Sequence, residues 1–156
     1  MSRRDQIRMD AAELAAFLDE QRTVIAATNG PDGWPHLMPL WFTVRSGELW
    51  SWTYAKSQKV RNLERDPRVT LQVEAGEQYQ ELRGVMIRAR AVIHRDLDTV
   101  AAFGAELFAR YLPGDGPAAP AVLEMVRAQA PKRVALHFTA TEPPVSWDHG
   151  KLGGVY

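Results

Sequence analysis

The chain has 156 residues, of which 46% are hydrophobic and 24% charged, proportions that suit one compact domain with a sizeable core and argue against a second. Nineteen basic residues balance nineteen acidic ones, so no overall field draws the molecule to nucleic acid or an acidic membrane, and any anion site has to be local. Cysteine is absent, which excludes disulfides, thiolate metal sites and thiol catalysis.

Residues 1–9 are basic but lead into no apolar run of signal-peptide length, and no stretch is long enough to span a bilayer, so a cytoplasmic protein is expected. Asp10-Ala11-Ala12-Glu13 has the form of a capping box, with a carboxylate in place of the usual hydroxyl. It predicts a helix to about Gln21, with Leu14, Phe17 and Leu18 as the apolar stripe that covers one end of a sheet. Thr23 to Thr28 is short, apolar and partly β-branched, and Asn29-Gly30-Pro31-Asp32-Gly33 is a turn, so a hairpin is expected there.

From His36 to Val44 both alternating sets are apolar, which predicts a strand buried on both faces, under a helix, a ligand or a second subunit. Pro39 has no amide to give a ladder, so that strand should be bulged or lie at an edge there. After Ser46-Gly47 the chain returns from Glu48 to Tyr54, with Leu49, Ser51 and Thr53 facing one way and Trp50, Trp52 and Tyr54 the other.

That strand runs into Ser57, a good N-cap, and a short helix ended by Asp66-Pro67. Lys56, Lys59 and Arg61 crowd the helix start, whose free amides carry partial positive charge, so the segment has the physics of a phosphate holder. The plain alternative is a solvated helix face. Val60 and Leu63 give the same helix an apolar side to dock on a sheet.

Arg68 to Glu74 alternates as a strand, and so does Arg83 to His94, from which Arg88 and Arg90 project together. They repel one another unless an anion, a salt bridge to Glu74 or Glu81, or solvent intervenes. Asp96 caps a helix to about Leu112, residues 113–117 break it, Pro120 to Ala130 forms another, and Arg133 to Thr139 is a last strand. Pro143-Pro144 ends ordered pairing, and the aromatic, glycine-rich tail beyond it gains order only by lying on something.

Six strands with mostly short links predict a mainly β fold with covering helices: a six-stranded antiparallel Greek-key barrel occupying residues 1–156 as one domain. The four histidines, at 36, 94, 137 and 149, have no metal-ligand spacing, so no metal is expected. Ser146, Asp148 and His149 are triad residue types, but as neighbours on a tail they cannot align as one. No dinucleotide or triphosphate loop motif is present.

The segments Pro35-His36-Leu37-Met38-Pro39-Leu40-Trp41-Phe42, Thr53-x-x-x-Ser57-x-Lys59-x-x-Asn62-Leu63 and Asp66-Pro67-Arg68-Val69 resemble the pyridoxamine-5′-phosphate-oxidase-like, FMN-binding split β-barrel superfamily. Tyr79-x-Glu81-Leu82-Arg83-Gly84 and Ser146-Trp147-Asp148-His149-x-Lys151 resemble its branch of deazaflavin (coenzyme F-420) dependent reductases from actinobacteria. The resemblance implies a homodimer with two cofactor clefts at the subunit interface. Lys56, Ser57, Lys59 and Asn62 would meet the cofactor phosphate and ribityl chain, and Pro39, Leu40, Trp41 and Thr53 would line the ring system. The tail, with Trp147 and His149, would reach the partner's cleft, and Arg88 and Arg90 are candidates for an acidic cofactor tail.

The chemistry so implied is hydride transfer from reduced coenzyme F-420 to a small conjugated acceptor such as a quinone, a coumarin or biliverdin, with water, Tyr54, Lys56 or His149 as the proton source. Two alternatives remain at this stage. One is an FMN-dependent oxidase or reductase of the same fold. The other is a non-catalytic carrier for deazaflavin, haem or a fatty acid.

Overall fold

The structure, a computed structural model, describes residues 2–112 and 118–154. Among the described residues seven strands and five α-helices follow in the order α1 (Arg3–Gln6), α2 (Ala11–Glu20), β1 (Thr23–Asn29), β2 (Pro35–Arg45), β3 (Glu48–Tyr54), α3 (Gln58–Arg65), β4 (Arg68–Ala75), β5 (Arg83–His94), α4 (Leu97–Tyr111), α5 (Pro120–Gln129), β6 (Arg133–Ala140) and β7 (Val145–Asp148). The break expected at residues 113–117 lies outside the described residues. No described helix is long and apolar enough to cross a membrane.

All strand pairs are antiparallel. β1, β2 and β3 form a meander, β4 returns beside β1, and β5 pairs with both β4 and β6. Since β6 also pairs with β3, six strands close on themselves and the expected Greek-key barrel is formed. Closure leaves the inward set, including Val24, Phe42, Leu71, Val73, Val85 and Leu136, in one continuous core.

The two ends of the barrel are stoppered differently. At one end α2 packs Phe17 and Leu18 into the core, held in place by its capping box, in which Glu13 N donates to Asp10 Oδ1 at 2.9 Å and Asp10 N donates to Glu13 Oε2 at 2.7 Å. At the other end α3 inserts Val60 and Leu63 into the same core. Outside β3 and β6, α4 and α5 bury a second cluster of Trp52, Val100, Phe103, Leu107 and Val126.

Two expectations need correction. The double burial of β2 is incomplete in a single chain: Leu40 and Phe42 are buried, whereas Leu37, Met38, Pro39 and Trp41 are exposed. Alternation on both faces reported what such residues need, but Met38 on one face and Leu37 and Pro39 on the other lie open, and Trp41 is covered on one side alone. The tail does not lose pairing after Pro143-Pro144, because Val145–Asp148 adds to β5 as a seventh strand opposite Arg83–Met86.

Gly84 makes that addition possible. Its Cα lies under Trp147, and a methyl group there would come within 2.4 Å of Trp147 Cζ2 and 2.7 Å of the Val73 carbonyl oxygen. Gly84→Ala should therefore destabilise the fold by about 1–3 kcal/mol through overpacking. Urea unfolding monitored by tryptophan fluorescence measures this, and an unchanged midpoint would contradict the close approach.

Candidate functional site

The ladder between β2 and β3 stops early. It runs from Arg45↔Glu48 to Phe42↔Ser51, and Pro35 to Trp41 then pairs with β1 alone while Trp52 to Tyr54 pairs with β6 alone. The Ser51 hydroxyl donates to the Trp41 carbonyl at the last rung. Beyond it the two strands part, and Pro39 sits on the open edge, where its missing amide costs nothing.

α3 begins beside this opening. Its N-cap is Ser57 with extended backbone geometry, but the Ser57 hydroxyl makes no capping bond, contrary to expectation. That hydroxyl is buried without a partner. Lys59 is only 7% exposed, and its ammonium donates to the hydroxyl of Thr53 at 3.1 Å. Burial, reinforced by the nearby positive charge of Arg133, pushes its pKa below the usual lysine value. No carboxylate among the described residues is paired with it.

Arg133, at the start of β6 opposite Tyr54, lays its guanidinium on the Tyr54 ring, 3.6 Å from the centroid, and its Nε is also buried without a partner. Buried polar atoms are normally satisfied, so two orphans and a buried amine around one helix start leave hydrogen-bonding capacity and positive charge of the kind that can hold an anion. Lys56 is exposed on the turn before the helix and adds a third cation.

The ring wall is supported from behind. Trp41 is 44% exposed and stacks on Tyr111 of α4, with centroids 4.3 Å apart and planes at 15°. The Tyr111 hydroxyl accepts from Phe42 N at 2.8 Å and lies 2.6 Å from the Arg22 carbonyl, so it extends the β1–β2 ladder to Arg22, just before β1 begins. Beside it Arg110 donates to the carbonyls of Leu18, Asp19, Gln21 and Phe42.

The sequence-derived residues therefore divide. Pro39, Trp41, Lys56, Ser57 and Lys59 face or flank the opening, and Thr53 meets it through the hydroxyl that holds Lys59. Leu40 places its side chain in the core, so only its backbone is available. Asn62 is fully buried on the barrel side of α3, where it donates to Thr28 Oγ1 at 3.0 Å and accepts from Gln58 at 2.8 Å. It braces the helix and does not face the opening.

Trp147 and His149 are brought elsewhere in the same chain. Trp147 pairs with Gly84, and His149 N donates to the Leu82 carbonyl while its ring lies against Tyr79. Gly84 is seven residues along β5 from Ala91, whose amide bonds Pro67 just after α3, a separation of about 23 Å at strand rise. Sequence reasoning missed Arg133, Arg110 and Tyr111. A cation following Pro131-Lys132 at the start of a strand was the only local signal for the first, and the pairing that sets it opposite Tyr54 is not local.

These features define a split β-barrel with a cationic, partly unsatisfied niche beside an exposed aromatic wall. The family model for pyridoxamine 5′-phosphate oxidase matches residues 11–142, and the chain belongs to that family. Among solved structures, the conserved hypothetical protein Rv2991 from Mycobacterium tuberculosis is 40% identical, with a TM-score of 0.87 and coverage of 100% of this chain and 95% of that one. An F420 reductase is 26% identical, with a TM-score of 0.62 and coverage of 81% and 92%. The heme storage protein HutZ from Vibrio cholerae, at 16% identity, TM-score 0.66 and coverage of 90% and 97%, shares the fold. No protein of curated function matches the chain.

The depressed Lys59 pKa gives the niche a testable pH dependence. Anion binding favours the protonated amine, so the bound pKa lies above the free one; affinity is full below the free value and falls as pH rises through it. Inorganic phosphate should bind progressively more weakly as the pH rises through the depressed Lys59 value, before the range in which an ordinary lysine loses its proton. Lys59→Arg, which stays charged, should flatten the curve, and calorimetry showing a flat wild-type profile would contradict the assignment.

Proposed function

We propose that this protein is an oxidoreductase that uses the deazaflavin coenzyme F-420 to reduce a conjugated, electron-poor acceptor such as a quinone, an enone or a biliverdin-like tetrapyrrole. The observation that carries the reading is the amine of Lys59, buried at the first turn of α3 with a neutral hydroxyl as its hydrogen-bond partner, beside the unpartnered Ser57 hydroxyl and Arg133. Family membership supports an oxidoreductase with a flavin-type cofactor, and the similarity to an F420 reductase supports the deazaflavin.

The residues fit such a group. Ser57, Lys59 and Lys56 would hold the phosphate, with Arg133 stabilising its charge, while Pro39, Trp41 and the backbone of Leu40 would flank the rings at the open edge of β2. When bound, the reduced deazaflavin supplies the hydride. The chain's part is to fix the ring plane through the Trp41–Tyr111 stack, to neutralise the phosphate, and to exclude water from the acceptor side.

Water exclusion needs more than one chain, and we propose that a second copy supplies it. Trp34 and Leu37 are 76% and 56% exposed beside the opening, a cost that burial at an interface would remove. The tail residues Trp147 and His149, remote from α3 in their own chain, would then be available to the cleft of the other copy.

Titration of purified protein with coenzyme F-420 and with FMN tests the assignment. Deazaflavin should bind and be oxidised in the presence of a conjugated acceptor. FMN binding without deazaflavin binding would select the flavin-dependent alternative, and tight binding with no turnover across an acceptor panel would select a carrier. Lys59→Ala should weaken cofactor binding by roughly 1.5–3 kcal/mol through loss of a charged hydrogen bond, with the fold retained. Unchanged affinity would contradict the phosphate placement.

A further inference from the structure

A second cationic cleft, of about 430 Å³, lies on the outer face of β4 and β5, lined by Asn29, Arg68, Thr70, Arg88, Arg90 and Thr141 among others. The antiparallel register sets Arg68 directly opposite Arg90 and Thr70 opposite Arg88. Three guanidinium groups thus project from one face, with Cα atoms roughly 5–8 Å apart. Like charges facing each other across a ladder repel, and the local carboxylates answer only part of that repulsion.

Arg68 is paired with Asp66 at 2.7 Å, and Arg88 reaches Glu142 at 3.4 Å; Glu74 and Glu81, the partners considered from sequence, take neither. Arg90 makes no ion pair or side-chain hydrogen bond among the described residues. Arg65, which donates to the carbonyl of Asn29 on the rim, brings a fourth cation to the same end of the barrel. Asn29 and Thr141 are engaged, by Asp66 and by the Arg88 carbonyl, and the Thr70 hydroxyl stands between the arginines. Four guanidinium groups against two carboxylates make a local excess of positive charge in a chain whose total is zero.

We propose that this cleft binds a small oligoanion, such as a diphosphate or a tricarboxylate, through bidentate contacts from Arg88 and Arg90 with Arg68 at the rim. The planar fork of arginine matches both phosphate and carboxylate oxygens, and a ligand with several negative charges relieves repulsion that the two carboxylates leave standing. The site is separate from the niche at Ser57, because α3 stands between them and spans about 12 Å. It does not rest on the cofactor reading.

Calorimetric titration of the full chain at low salt, with inorganic pyrophosphate in one arm and citrate in the other, tests the proposal. At least one probe should bind, and the tighter arm identifies the headgroup chemistry; equal binding assigns oligoanions in general. Because the niche at Lys59 would also take a phosphate, the titration is made in the Lys59→Ala background, where Arg88→Ala combined with Arg90→Ala should weaken binding at least about tenfold. Arg90→Gln, a milder change at an exposed position, should show a smaller loss in the same direction and guards against a folding artefact. Failure of both probes to bind in that background, or equal affinity with and without the Arg88→Ala and Arg90→Ala changes, would overturn the site.

Discussion

The structure depends on the parting of β2 from β3 and on the helix that fills the end of the barrel behind it. A closed antiparallel barrel satisfies its backbone by continuous pairing, and this one gives up that pairing beyond Phe42↔Ser51. α3 compensates from inside, with Val60 and Leu63 in the core, Asn62 bonded to Thr28 and Lys59 bonded to Thr53. The first of those tethers is apolar packing and the second ordinary amide and hydroxyl chemistry. The third is a buried ammonium without a carboxylate partner among the described residues, and burying a charge in that way is costly unless a partner arrives.

The wall of the opening is fixed from the opposite side by α4. Arg110 gathers four backbone carbonyls from α2, the segment after it and β2, and the Tyr111 hydroxyl continues the β1–β2 ladder at Arg22, just before β1 begins. Trp41, stacked on Tyr111 and touching Phe108 edge-on, is thereby held as a rigid surface although its outer face is bare. Rigidity on one side and unsatisfied charge on the other are what pre-organised binding of the proposed cofactor would need, so that binding energy goes into orientation.

Much of this was legible in the sequence because the signals were local. Alternation located the strands, Asp10 and Asp96 marked their helix starts by caps that the structure contains, and Asp66-Pro67 stopped α3 where steric rules require. The crowding of Lys56, Ser57 and Lys59 was visible for the same reason. What was not legible depended on register and packing. Nothing in the neighbourhood of Ser57 says that its hydroxyl forgoes the cap, that Asn62 turns inward to Thr28, or that Arg133 arrives beside Tyr54 through β3–β6 pairing. The tail misled because two prolines usually end pairing, whereas Gly84 offers a bare surface on which Trp147 can lie and a strand can re-form.

The most direct measurement is a crystal structure of the protein grown with coenzyme F-420. The account requires density for the cofactor phosphate within hydrogen-bond reach of Ser57 Oγ and Lys59 Nζ, with the ring system along the open edge of β2 against Trp41. Density for the cofactor elsewhere, with Lys59 still turned to Thr53 and the Ser57 hydroxyl still alone, would contradict it.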